Sequence, residues 1–185
     1  MLGPLVPTKC GGKFTFSMGS VRLFFAIHWI CLYLHIESME VKEMKSNRKK
    51  AVIRRRAVLE AWKRERQLVL EGKGTRDWTP QQQMDILKKG KAFDENGVAF
   101  QGHHMKSVSK FPEYQRDYKN IQFLTKAEHL EAHGGSWKNP SNWYFNPKTN
   151  ERKHFGNEKY IPCKIINLTN PIYIDLERLD KESYF

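Results

Sequence analysis

Four of the chain's seven histidines lie in the segment from Gly102 to Gly135: His103 and His104 are adjacent, and His129 and His133 are four residues apart. On a helix, a spacing of four places two imidazoles on one face, about one turn apart. Together with a third histidine at the end of a strand they offer three neutral nitrogen ligands, which suit zinc and other borderline divalent ions. No cysteine lies near to close the site as a fourth ligand. We therefore predict a metal site with an open position, which favours chemistry over a structural role.

Two helices are predicted before this segment. Residues 46–71 follow a helical pattern, with apolar residues within one arc that we expect to pack and a basic remainder. The second helix has Thr79 as N-cap, Pro80 at its first position, Gln82 completing a capping box and Gly90 as C-cap. The predicted packing face of the first helix consists of Ala51, Val52, Val58, Leu59, Trp62, Val69 and Leu70.

The histidines themselves fall on a predicted strand, strand, helix succession. A turn at Asp94–Gly97 leads into a strand that runs to His104, and a loop over about 106–119 follows, broken by Pro112. Residues 121–125 form the second strand. Thr125 and Glu128 then form a capping box that opens the helix carrying His129 and His133, and Gly134 and Gly135 end it. The pattern predicts an α+β fold.

The charge of the chain points to a polyanionic partner. Net charge is +12 over 185 residues with a pI near 9.6, and residues 42–66 contribute 11 − 3 = +8 of it. Such a balance favours nucleic acid or an anionic membrane surface. The three cysteines are far apart and show no CxxC pair, so neither a disulfide framework nor a cysteine zinc knuckle is expected.

The first 40 residues are treated as an apolar extension outside the functional part. Leu23–Ile36 is a 14-residue apolar run, shorter than the roughly 20 residues of a membrane span, and no small-x-small cleavage site follows it. A signal segment, since Lys9, Lys13 and Arg22 precede the run, and a membrane-associated basic protein are the alternatives that it supports. Met39 and Met44 allow a later start of translation, and both the cytoplasm and the exterior, for a secreted effector, fit the sequence.

The segment from Gly102 to Gly135 closely resembles the GHH-signature branch of the HNH/endonuclease VII superfamily. The resemblance is carried by G-H-H, Asn120 and H-x3-H in the sequence GHHMKSVSKFPEYQRDYKNIQFLTKAEHLEAHGG. The resemblance implies a ββα-metal (His-Me finger) nuclease core preceded by basic helices. It also implies that His103 is the first metal ligand, that His129 and His133 complete the site, that His104 is the general base and that Asn120 holds the base in orientation. One divalent ion, of the zinc or the magnesium and manganese type, is then the only expected cofactor.

The partners expected from this resemblance are DNA, with RNA as the other candidate, and an immunity protein, because many relatives are toxin modules. The expected domains are a helical basic region at 41–90, the nuclease domain at 91–150 and a C-terminal extension at 151–185. A metal-stabilised nucleic-acid-binding module without catalysis is the alternative function, and the extra imidazole of His104 argues against it.

One geometric conflict concerns the adjacent histidines. Consecutive side chains on a regular strand point to opposite faces, so His103 and His104 serve one site only if the strand ends or bulges there, or if the phosphate lies between the two rings. Gly102 is placed to allow a bulge.

Phosphate contacts are predicted for the basic face of the first helix and for one residue in the nuclease segment. The helical residues are Arg54, Arg55 and Arg56, just after Arg48, Lys49 and Lys50, and the other is Lys106. Aromatic residues after the site favour core packing over base stacking, and Trp62 and Trp78 are also expected in the core. The aromatic residues after the site are Trp137, Trp143, Tyr144 and Phe145.

Overall fold

A computed structural model describes residues 18–173, with side chains from residue 35 onward. The chain divides into two units between Arg48 and Lys49, and all features discussed below belong to the second unit unless stated. Helices and short antiparallel strands alternate along it. The elements are α1 (Met18–Leu70), β1 (Lys73–Gly74), α2 (Pro80–Lys89), β2 (Gln101–His104), β3 (Ile121–Leu124), α3 (Lys126–Ala132), β4 (Trp143–Asn146), β5 (Glu151–His154) and β6 (Ile166–Asn167).

Helix α1 packs through a face that differs in part from the predicted one. Val58, Trp62 and Val69 do turn inward, but four of the residues expected to pack are exposed instead. The prediction failed there because it left out the apolar Ala57, Ala61 and Leu68, so its arc was centred away from the face that is buried. The exposed ones are Ala51, Val52, Leu59 and Leu70, and the buried face adds Ala57, Ala61, Glu65 and Leu68.

A buried carboxylate joins α1 to the turn after it. Glu65 is 1% exposed and accepts hydrogen bonds from Trp78 Nε1 (2.6 Å), Thr75 N (2.7 Å) and Thr75 Oγ1 (2.9 Å). Burial raises the pKa of Glu65, and the bonds from Trp78 and Thr75 oppose that rise. The side chain thus fixes the chain reversal that brings Trp78 back against Trp62, whose ring centroid lies 5.9 Å away.

The caps of α2 and the following turn are as predicted. Gln82 N donates to Thr79 Oγ1, Thr79 N donates to Gln82 Oε1, and Gly90 ends the helix in the left-handed region at φ 75°. Asp94 N donates to Val98 O (2.9 Å) across the turn at Gly97. The chain therefore reverses once more and enters β2.

Strands β2 and β3 pair in regular antiparallel register, and α3 follows directly. His103 lies opposite Gln122 and His104 opposite Ile121, without a bulge. Thr125 caps α3 through the predicted box with Glu128. The predicted succession of strand, strand and helix is present. Of the alternatives for the histidine pair, a bulge is not observed, and β2 ends at His104.

The remaining strands form two further pairs, β4 with β5 and β1 with β6. Gln122 ties β4 to β3, since its side-chain amide bonds Phe145 O (2.5 Å) and Phe145 N (3.3 Å). The main core joins α1, α2, β3 and the segment around β6. Its larger members are Trp62, Val69, Trp78, Ile86, Leu87, Phe100, Ile121, Phe123 and Leu168.

The apolar run Leu23–Ile36 lies within α1. Within the part of the chain that the structure describes, no helix is long and apolar enough to cross a membrane.

Gly102 is required by close packing and not by a bulge. A Cβ built at Gly102 would lie 2.8 Å from both Cγ1 and Cγ2 of Val58 and 3.1 Å from Cγ2 of Ile121. Val58 is part of α1, so the glycine is where that helix touches β2. The first letter of the GHH triplet therefore sets the distance between helix and strand.

We expect Gly102→Ala to lower the free energy of unfolding by about 1–3 kcal/mol, the usual cost of inserting a methyl group into a filled contact. Chemical denaturation of the purified variant measures it. Adding Val58→Ala should restore most of the loss, because it removes the methyl groups that the new Cβ meets. Equal losses in the single and the double variant would mean that Val58 does not set this requirement.

Candidate metal centre

Three imidazoles converge between β2 and α3. The ring centroid of His103 lies 4.9 Å from that of His129 and 4.9 Å from that of His133, and the latter two are 5.0 Å apart. One ring nitrogen from each lies within 4.8 Å of the other two. These three histidines could hold one metal ion, as the sequence spacing predicted.

Helix α3 is short, and the second histidine of its pair lies at its end. α3 ends at Ala132, and His133 occupies the C-cap position, where its N–H still donates to His129 O (3.2 Å). Gly134 and Gly135 follow at φ 63° and 79°, so the chain leaves the helix as predicted. The spacing of one turn between the imidazoles is kept, although only His129 is inside the helix.

Two acceptors orient the half-buried rings of His129 and His133. His129 Nδ1 lies 2.7 Å from Gln101 Oε1, and His133 Nδ1 lies 2.6 Å from Asn139 O. An oxygen of this kind accepts only, so each Nδ1 carries the proton and donates. Nε2 of both rings is left with its lone pair, the usual division in a metal-binding histidine.

Among the residues that the structure describes, His103 has no hydrogen-bond partner at either ring nitrogen although it is fully buried (0% exposed). Burial, and then the neighbouring His129 and His133, hold the pKa of His103 well below its usual value. Burial also lowers the pKa of His129, to about 4. The imidazoles of His103 and His129 are therefore neutral at neutral pH, which is the state in which a histidine binds a metal. A metal ion bound here would also give the buried ring of His103 a partner.

His104 faces the other side of β2. Because the strand is regular, its ring is separated from the three clustered imidazoles, and its Nε2 lies 3.4 Å from Gln115 O. Burial lowers the pKa of His104; the bond to Gln115 raises it, and the charge of Arg54 lowers it further. The backbone carbonyl accepts only, so Nε2 donates and Nδ1 remains a free acceptor.

Asn120 is fully buried and closes the loop between the two strands. Its Oδ1 accepts from Lys106 N (2.9 Å), its Nδ2 donates to Lys106 O (3.0 Å), and its backbone O accepts from Met105 N (2.9 Å). The amide thus extends the β2–β3 pairing by two residues beyond His104. This is the bridging expected from the sequence, and it acts on the backbone that follows His104, not on the imidazole.

Lys106 does not fit the predicted phosphate contact. Its side chain is 2% exposed, its Nζ lies 4.2 Å from the ring centroid of Phe111, and the same Nζ is 3.5 Å from Gly156 O. The ammonium group lies against a ring face and a carbonyl in the interior, which argues against a contact with phosphate. Sequence position beside the histidines was no guide to where this long side chain points.

The three arginines predicted to contact phosphate lie at the surface, and the aromatic residues after the site divide between the core and the surface. Arg54, Arg55 and Arg56 are exposed. Phe145 is buried as expected and Trp143 packs beside it, whereas Trp137 is 50% exposed.

An ion pair that sequence reasoning missed holds α3 in place. Arg76 donates to Oε1 and Oε2 of Glu128 (2.8 Å each) while its guanidinium lies over the Phe100 ring at 5.0 Å. Burial of Glu128 raises its pKa, but the bonds from Arg76 and Thr125 outweigh this, so the net pKa is lowered. Glu128 therefore serves both the capping box and a fork that anchors the residue just before His129.

Comparison with known proteins finds a family whose model matches part of the chain. Residues 43–125 match the family described as "GHH signature containing HNH/Endo VII superfamily nuclease toxin". The resemblance predicted from the sequence is confirmed. The matched GHH-signature segment contains His103, His104 and Asn120 and ends before His129 and His133, which the fold brings to it.

Curated relatives match a smaller part of the chain. Teneurin-3 of Danio rerio is 36% identical over 76 residues, Teneurin-3 of Mus musculus 37%, and Teneurin-4 of Homo sapiens 34% over the same length. Each alignment covers 40% of this chain and 3% of the relative. The chain therefore spans only a small fraction of the length of these proteins.

We expect His129→Ala to abolish stoichiometric binding of Zn²⁺, because two imidazoles hold the ion poorly. Gln101→Ala, which frees the His129 ring to rotate, should weaken binding by about 10- to 100-fold. Isothermal titration of the metal into the metal-free protein measures both. His154→Ala is the matched control and should bind normally; undiminished stoichiometry in His129→Ala would remove the cluster from consideration.

Proposed function

We propose that the protein is a metal-dependent endonuclease that hydrolyses phosphodiester bonds of DNA with little sequence specificity. The observation that carries the proposal is the placement of two different imidazole environments on consecutive residues of β2: His103 within the three-histidine cluster and His104 on the opposite face. Residues 43–125 match a family described as nuclease toxins, which supports this reaction class.

His103, His129 and His133 would hold one divalent ion in a ββα-metal core formed by β2, β3 and α3. The bound ion would neutralise negative charge on the phosphate and on the departing 3′ oxygen. Nε2 of His129 and of His133 would face it, since the Nδ1 atoms are held by Gln101 and Asn139. Three imidazole ligands favour an ion of the zinc type, whereas an ion of the magnesium or manganese type would need further oxygen ligands from water and phosphate.

His104 would act as the general base. Its lowered pKa keeps the ring neutral at neutral pH, and its Nδ1 is free to accept a proton from water. The water oxygen forms the new bond to phosphorus, the bond to the 3′ oxygen breaks, and the proton passes to His104. The phosphate would then lie at the end of β2, between the rings of His103 and His104. In this arrangement both imidazoles can act on one phosphate although the strand has no bulge.

Asn120 and Gln115 would be positioning residues for that base. The Asn120 amide fixes the backbone of Lys106, two residues after His104, and Gln115 O holds the imidazole by its Nε2 proton. A catalytic group misplaced by about 1 Å loses about 10²-fold in rate.

Arg54, Arg55 and Arg56 would contact the DNA backbone. All three are exposed, and Arg54 is close enough to His104 for its charge to lower the pKa of that ring. Contacts to phosphate carry no sequence information, which is why we propose weak specificity. The family of toxins also supports a role as an effector with an immunity protein as its partner.

We expect the purified protein to nick plasmid DNA and to lose that activity in EDTA. His104→Ala should retain the fold and the metal but cleave at least about 100-fold more slowly, the lower end of what a general base contributes. Cleavage rate and metal stoichiometry are measured on the same preparation. His35→Ala, which removes an exposed imidazole of the first unit, should cleave normally.

Two results would contradict the proposal. Cleavage by His104→Ala at the wild-type rate would place the base elsewhere. DNA binding by the wild type without cleavage under any divalent metal would favour a metal-stabilised binding module.

Neutralising Arg54, Arg55 and Arg56 together should weaken binding to all DNA sequences alike. The slope of log affinity against log salt should fall by roughly one unit per lost phosphate contact. Fluorescence anisotropy over a salt series gives the slope. Neutralising the exposed Lys148, Lys153 and Lys164 is the charge-matched control and should change the slope less; the opposite order would show that the arginines do not contact DNA.

A further inference from the structure

Trp137 stands beside the histidine cluster with half of its surface open to solvent. It is 50% exposed, and its ring centroid lies 5.0 Å from that of His129 and 5.9 Å from that of His133. An indole left exposed forgoes the favourable burial that a ring of this size normally gains. Its position at the cluster therefore calls for a reason other than core packing.

The neighbouring Trp143 shows what a structural tryptophan looks like in the same region. Trp143 is half-buried, packs against the Leu124, Ala132 and Phe145 cluster, and donates from Nε1 to Ala132 O (3.0 Å). Among the described residues, Trp137 Nε1 makes no hydrogen bond. Trp137 thus contacts the His129 ring in an edge-to-face arrangement, and the rest of the indole is exposed to solvent.

The loop that carries Trp137 is held in one conformation. Asn139 Nδ2 donates to His133 O (2.9 Å) and Gly134 O (3.4 Å), while Asn139 O accepts from His133 Nδ1 (2.6 Å). These three bonds tie the loop to the end of α3 on both sides of Trp137. A loop closed by these bonds has less conformational entropy to lose when a ligand contacts the indole.

We propose that Trp137 is a stacking platform for one base next to the phosphate that is cut, and that it gives the enzyme a preference for nucleotides already unstacked. The proposal rests on the proposed nuclease function. Stacking of a base on an aromatic ring tolerates every base, so it adds affinity without sequence readout. A base inside a duplex presents no free face, so single-stranded or distorted DNA is the substrate class that can use the platform.

The decisive test compares wild type and Trp137→Ala on single-stranded oligonucleotides with and without the base. Cut positions are mapped first, and an abasic nucleotide is then placed in turn at each of the nearest positions on either side. On intact DNA, Trp137→Ala should raise KM by about 5- to 150-fold, the range for one lost stacking contact, with kcat changed far less. At one abasic position the wild type should show the same rise, and Trp137→Ala should show no further one.

Trp137→Phe keeps a ring and should recover most of the affinity, whereas Tyr173→Ala, which removes an aromatic residue that is 87% exposed, should behave as wild type. Quenching of intrinsic tryptophan fluorescence by the intact oligonucleotide in EDTA should be smaller in Trp137→Phe than in the wild type. Zn²⁺ stoichiometry should be unchanged in both Trp137 variants.

An unchanged KM in Trp137→Ala, or the same fold-rise in KM on intact and on every abasic DNA, would overturn the proposal. Lost metal stoichiometry would also overturn it, because the indole would then only support His129. If the wild type does not cleave at all, the proposed function fails; dissociation constants from anisotropy on the same oligonucleotides then decide the stacking proposal by the same comparison.

Discussion

The regular pairing of β2 with β3 is the constraint on which the site depends. Because neighbouring side chains on a strand alternate, the pairing of His103 with Gln122 and of His104 with Ile121 sends the two imidazoles to opposite faces. One ring enters the buried cluster, and the other meets a backbone carbonyl. Two chemically distinct histidines thus arise from adjacent residues without any backbone strain.

Helix α1 determines how this strand is supported. Val58 fills the space that a side chain at residue 102 would need, and one turn earlier the same helix presents Arg54 within electrostatic reach of His104. Helix α1 therefore sets its own distance from β2 and supplies a positive charge beside His104, the last residue of that strand. Part of the basic charge that is evident in the sequence of this region thus lies beside His104.

Features with a local signature could be predicted from the sequence, and those that depend on distant packing could not. The capping boxes at Thr79 and Thr125 are set by residues three apart, and the histidine cluster by a spacing of four. Gln101, which orients His129 across 28 residues, carries no local signal. The same holds for the Arg76–Glu128 fork and for the buried Glu65, whose charged side chain reads as solvent-facing until Trp78 and Thr75 are folded against it.

Lys106 and the packing face of α1 show the corresponding errors. A lysine beside a predicted nuclease site reads as a phosphate contact, but cation–π contact and a carbonyl hold it in the interior. Along α1, the predicted packing face included Leu59 and Leu70, which are exposed, because it left out Ala57 and Leu68, which are buried.

The pairing of β1 with β6 bears on how short a piece of this chain can fold as a unit. Asp77 accepts two hydrogen bonds from Thr169, and Gln83 Oε1 accepts from Ile172 N (2.9 Å), so the segment after β5 is stitched to the turn and helix before the histidines. A shorter piece that carried only the histidine motif would lack Thr169 and Ile172, and the buried amide oxygen of Gln83 would lose this partner. The unit that folds with these bonds intact therefore reaches from Asp77 at least to Ile172.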